Sequence, residues 1–146
     1  MRSSDTFGSW TLDPDGAGPV LPVTVTVSST FVGQMTPTTT SGLVNLGVTA
    51  GGVGGSALPG LILLQDLVGS PVDNTRTSRQ DIVFTFSRPV DDLAFSVTDL
   101  DASPAYLDVV QLTSPTAFTT TRGASVAGGG TATNPWRATG GIIEND

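Results

Sequence analysis

The sequence predicts an all-β fold, an antiparallel two-sheet sandwich folded as one domain over residues 1–146. Three observations carry that prediction. Good helix formers are scarce, and hardly any window repeats apolar residues at helical spacing without a Gly or Pro inside it. Apolar residues instead alternate with Thr and Ser at a period of two, the pattern of a strand with one buried face. Pro, Gly and Asp clusters punctuate these runs at the spacing of turns.

The elements follow in chain order. Gly8–Leu12 is a weak strand, closed by the turn chemistry of Asp13-Pro14-Asp15-Gly16. Val23, Val25 and Val27 alternate with Thr24, Thr26 and Ser28, a clear half-buried strand. The stretch 36–42, Thr-rich with one Pro, reads as an exposed loop. Leu43–Val48 and Leu61–Leu64 are weak strands on either side of the Gly-rich run 51–55. Ile82, Phe84 and Phe86 alternate with Val83, Thr85 and Ser87 and end at Arg88-Pro89, where proline can donate no ladder hydrogen bond. Leu93, Phe95 and Val97 form a second alternating run, so Phe84, Phe86 and Phe95 are expected in the core. Beyond Ser103-Pro104, Val110 and Leu112 share one face of a further strand. Phe118–Arg122 is a weak strand, and 123–135 reads as a loop.

Composition excludes much chemistry. The 146 residues include no Cys, His or Lys, and the acids are 12 Asp against the single Glu144. Disulfide frameworks, Cys/His zinc sites, His-dependent nucleophilic catalysis, Schiff-base lysines and Walker-type phosphate loops are therefore out of reach. The formal charge is −7 and six Arg are dispersed, so no basic stripe invites nucleic acid or an anionic membrane surface. The longest apolar run, Leu58–Val68, is broken by Pro59, Gly60, Gln65 and Asp66 and cannot span a bilayer. A Thr/Ser/Gly/Asp-rich chain without Lys or Cys is typical of secreted bacterial modules, which gives an extracellular or cell-wall location as the expectation.

With oxygen as the strong ligand type, any metal here should be a hard cation. Side-chain parity locates where it would sit. Continuing the 93–95–97 face places Asp99 and Asp101 inward, and the Val110 parity places Asp108 inward too. The connection Ala102–Leu107 is short enough to close a hairpin, so Asp99, Asp101 and Asp108 would converge at one end. Clustered, partly buried carboxylates need compensation, and Ca²⁺ accepts such ligands from irregular loops. Turn carboxylates that accept backbone N–H bonds, pairing with Arg79 or Arg88, and direct ligand binding are the alternatives. The pattern is no EF-hand, lacking its Gly and its terminal Glu. Asp91-Asp92 is an ordinary turn pair, because a glycosidase needs two carboxylates facing across about 5–9.5 Å and nothing supplies the second. Tyr106 and Trp136 are the candidate ligand-binding aromatics; packing is the commoner role for such rings.

Phe84-Thr85-Phe86-Ser87-Arg88-Pro89-Val90, then Leu93 to Asp101 and Asp108-Val109-Val110, resembles a recurring jelly-roll-like β-sandwich module of secreted, cell-wall-anchored surface proteins of Gram-positive bacteria. Leu58-Pro59-Gly60-Leu61 and the run from Gly128 to Asn134-Pro135-Trp136-Arg137 are similar to such modules as well, so the resemblance covers residues 58–146. It implies a non-enzymatic structural or adhesive role, with neighbouring domains or subunits and glycans as partners. In such modules further strands usually follow the Pro-Trp-Arg region, and the expectation is a sandwich lacking its C-terminal strand or strands. A carbohydrate-binding module is the alternative, and a filament subunit completed by a donor strand is a third.

Overall fold

The computed structural model describes residues 3–12, 21–40, 43–49, 57, 60–68, 77–103 and 106–139. Among these it is all β, with fourteen antiparallel strands and no helix. In chain order they are β1 (Ser3–Leu12), β2 (Val23–Val32), β3 (Met35–Pro37), β4 (Thr39–Thr40), β5 (Leu43–Val44), β6 (Val48–Thr49), β7 (Gly60–Leu61), β8 (Gln65–Leu67), β9 (Arg79–Phe86), β10 (Ala102–Ser103), β11 (Tyr106–Leu107), β12 (Val109–Val110), β13 (Val126–Ala127) and β14 (Trp136–Ala138). They form several small antiparallel sheets. Two compact units result, one of Met1–Gly47 with Ile62–Phe95, the other of Val48–Leu61 with Ser96–Asp146.

The first unit is organised by β2, the centre of the sheet β1-β2-β9. Val23, Val25, Val27, Ser29 and Phe31 are buried, and every intervening residue is half-buried, as the Val/Thr alternation predicts. The weak N-terminal strand extends well beyond Gly8–Leu12: β1 pairs along nearly all of β2. Its register slips at Gly8, so that Phe7 pairs with Val27 and Trp10 with Val25. One extra residue thus lets positions three apart both oppose the odd-numbered residues of β2.

β9 pairs with the other edge of β2, from Val25↔Phe86 to Val32↔Arg79. Here one expectation is corrected. Phe84 lies opposite the fully buried Val27 yet remains 47% exposed, because among the described strands β9 is the sheet's edge with β2 on one side. The ladder ends where the Ser87 N–H donates to Thr24 O (2.9 Å) and the Thr24 N–H donates to Ser87 Oγ (3.0 Å).

Ser29 breaks the apolar series of β2, and its burial demands a partner. Gln80 provides it: Nε2 donates to Ser29 Oγ (2.9 Å) and to Asn45 Oδ1 (3.2 Å), which also accepts from the Leu64 N–H (3.0 Å). Replacing Gln80 by Ala is expected to cost about 1–3 kcal/mol, the penalty of stranding a buried hydroxyl. Urea titration checks this; the double variant Gln80→Ala/Ser29→Ala should recover part of the loss.

Around this sheet, β3 pairs with β8 and β4 with β5. The stretch 36–42, read as a loop, therefore carries β4 and part of β3; residues 41 and 42 lie outside the described residues. Leu43–Val48 is likewise not one strand. It is broken by a turn at Asn45–Leu46, where Leu46 takes φ +60° while only 2% exposed. The Leu46 N–H donates to Ile62 O (2.7 Å), and the Ile62 N–H donates to Gly47 O (2.8 Å). Leu61–Leu64 is also divided, with residues 62–64 between β7 and β8.

The expected strand over Leu93–Val97 does not form, and residues 87–101 contain no strand. Leu93, Phe95 and Val97 are 52%, 58% and 38% exposed, so Phe95 is not a core residue. Pro89 cannot donate, and Asp92 has φ +54°, which an extended strand cannot accommodate. Alternation in sequence confers burial only where a neighbouring strand fixes the faces.

In the second unit β6 pairs with β7, β10 with β11, and the sheet β12-β14-β13 centres on Trp136–Ala138. Residues 123–135 are not simply a loop, since they contain β13 and the buried Gly130. Phe118–Arg122 forms no strand. The turns expected at 13–16 and 51–55 lie outside the described residues.

Candidate functional site

The acidic hairpin belongs to the second unit. Ala102 pairs with Leu107 and Ser103 with Tyr106, so the segment expected to connect two strands is itself the hairpin. Asp101 and Asp108 flank it. The Asp108 N–H donates to Asp101 O (2.9 Å), and Asp108 Oδ2 accepts from the Asp101 N–H (3.1 Å). The hairpin, rather than side-chain parity along a 93–97 strand, brings these two together, while the Asp108 carboxylate also does the capping work that the alternative reading assigned to it.

Asp99 departs from the expected alternation. Its φ is +64°, and it is exposed, whereas Leu100 beside it is 7% exposed. A left-handed residue reverses the side-chain sequence, so the parity carried from residue 97 is lost at 99. Among the described residues no group of three carboxylates is arranged to hold a metal ion. Arg79 pairs with Asp81 at 2.8 Å, on a solvent-exposed flank of β9.

The electrostatics still tie the three acids together. Burial raises the Asp108 carboxyl above its ordinary value, and the charges of Asp101 and Asp99 raise it further; the Asp101 N–H acts in the opposite direction. The folded state therefore binds this proton more tightly than the unfolded chain does. Stability falls as pH rises from the unfolded to the folded pKa, and above the latter the penalty is fully in place. Asp108→Asn keeps an acceptor for the Asp101 N–H and removes the charge. Its melting midpoint is expected to exceed wild type at pH 7 in the presence of EDTA. That gain should vanish below about pH 3, where aspartates are protonated in both states. Calorimetry at the two pH values checks it.

Tyr106 and Trp136, the two candidate aromatics, differ sharply. Tyr106 is 45% exposed on the hairpin, within two residues of Asp108. Trp136 is half-buried in β14, and its ring lies against Gly130: a Cβ built there would stand 2.5–2.7 Å from Cζ2, Cε2 and Cη2. Gly130 and Gly128 both have positive φ, +75° and +97°. Thr131 and Asn134 close the turn that follows, each N–H donating to the other's carbonyl at 3.1 Å. Trp136 thus packs on a glycine-built turn, an arrangement that sequence inspection missed. The signal available was the run Gly128-Gly129-Gly130 within reach of Asn134-Pro135-Trp136.

Compared with known protein families, with curated proteins and with solved structures, the chain matches none.

Proposed function

We propose that the chain is a non-enzymatic, extracellular structural or adhesive module of a bacterial surface protein, with a jelly-roll-like two-sheet sandwich as its architecture. The observation that carries this reading is the β1-β2-β9 ladder, in which the strand at the centre of the sheet is bonded along both edges. Its far face is Thr24, Thr26, Ser28 and Thr30, uncharged hydroxyl residues, and it is held in register by a half-buried Ser29–Gln80–Asn45 network. Such an element supplies rigidity and presents a low-charge surface. Displayed on a bacterial cell, the chain is expected to support attachment that the core-destabilising variant Phe31→Ala weakens. Equal attachment by both would overturn the adhesive role.

A carbohydrate-binding module is the second reading, favoured by Tyr106 standing exposed beside the Asp101–Asp108 pair. Sugar rings stack on exposed aromatic faces, and carboxylates accept their hydroxyls. Glycan-array binding that Tyr106→Ala abolishes would establish it in place of the first. Ca²⁺ would draw on Asp101, Asp108 and Asp99, but two adjacent carboxylates, one already capping an N–H, fall well short of the six to eight oxygens the ion takes. A midpoint that rises with added Ca²⁺ in wild type and not in Asp108→Asn would establish the ion.

A further inference from the structure

We infer that the outer edge of β9 pairs with the same edge of a second copy, antiparallel and about a two-fold axis at Phe84. The bond from the Ser87 N–H to Thr24 O sets the phase of the β2–β9 ladder. In an antiparallel ladder the hydrogen-bonded positions alternate, so Arg79, Asp81, Val83 and Thr85 bond to β2. The N–H and C=O of Gln80, Ile82, Phe84 and Phe86 then point the other way, and no described strand meets them. An eight-residue edge that no described strand pairs, carrying an exposed Phe84 (47%) and Val83 (54%), is a template for another strand.

Three observations specify a second copy. First, two copies pair regularly only if opposed residues have the same parity, because both must point toward the partner or both away. Of the centres this allows, only Phe84 matches every outward apolar residue with another: Phe84 with Phe84, and Ile82 with Phe86 in both directions. Second, the chain carries −7, yet β9 through Arg88 holds Arg79, Asp81 and Arg88. This register places Asp81 opposite Ser87 and Arg88 opposite Gln80, with no like charges facing, so the edge is where two acidic chains approach without carboxylate repulsion. Third, Arg88 Nε has no hydrogen-bond acceptor among the described residues, and this register sets Arg88 opposite Gln80, whose Nε2 atom is already engaged with Ser29 and Asn45. The result is a continuous six-stranded sheet, an isologous contact that closes on itself.

The test is sedimentation equilibrium over a dilution series, together with amide exchange by NMR on the wild-type chain. Expected are a concentration-dependent doubling of mass, and slowing by at least about tenfold of the Ile82, Phe84 and Phe86 amides on concentration. The Val83 and Thr85 amides should be protected at every concentration. Phe84→Lys should remain at monomer mass, whereas Val109→Ser, altering an exposed apolar residue of the β12-β14-β13 sheet, should still double. Should Phe84→Lys fail to fold, the wild-type exchange pattern decides alone. Monomer mass throughout, or a dimer in which the even-numbered amides still exchange freely, overturns the inference and leaves the edge to a strand from a different protein. Neither result bears on surface attachment or glycan binding, which are measured separately.

Discussion

Phe31→Ala is expected to destabilise the chain by about 3–5 kcal/mol, the usual cost of emptying a buried Phe site. The ring is 2% exposed at the end of the buried face of β2, beside Ser29 and opposite Gln80. Its removal leaves a void and opens the Ser29–Gln80 hydrogen bond to water. With total stabilities commonly near 5–15 kcal/mol, such a loss takes much of the fold's margin. Guanidinium titration followed by circular dichroism should show a lowered midpoint at unchanged slope. A loss below about 1 kcal/mol would mean that the site is not packed as described.

Gly128→Ala is expected to cost about 3 kcal/mol, from two separate causes. A φ of +97° is strained for any residue with a Cβ. The Cβ would also collide with Pro135 O, a backbone atom that cannot swing aside as a side chain can. Relief requires moving Pro135, and with it Trp136 and the β12-β14-β13 sheet. The variant should therefore melt earlier and shift the tryptophan emission. Gly129→Ala is the control: its φ is not positive, and its Cβ would meet Asn134 Nδ2 at 3.4 Å, ordinary contact with a side chain.

These two sites show why part of the molecule was legible from sequence. β2 was, because its two faces differ chemically at every step from Val23 to Ser28, and the structure turns that difference directly into burial. The Asp101–Asp108 pair was, because six intervening residues admit little but a hairpin. Leu93–Val97 carries the same alternation and forms no strand, since alternation does not reveal whether a partner strand arrives. Asp99 escaped because one left-handed residue reverses a parity argument, and nothing in its side chain announces φ +64°. Phe84 was misplaced for a related reason: the sequence marks its face but not its position at a sheet edge. Ser29 lies just beyond the alternating run read from the sequence, and that its partner would be Gln80 depended on the register of β9.

Leu46 limits how this sequence can change. Its backbone requires a conformation that β-branched residues avoid, and its side chain fills a fully enclosed space. Glycine would relax the backbone but leave a cavity, and valine or isoleucine would fill the volume but resist the dihedral. Asparagine accepts the dihedral but buries an amide. Each substitution that repairs one requirement violates the other. Position 46 is therefore an evolutionary dead end within this fold, where drift must first rebuild the Asn45–Gly47 turn before the leucine can be exchanged.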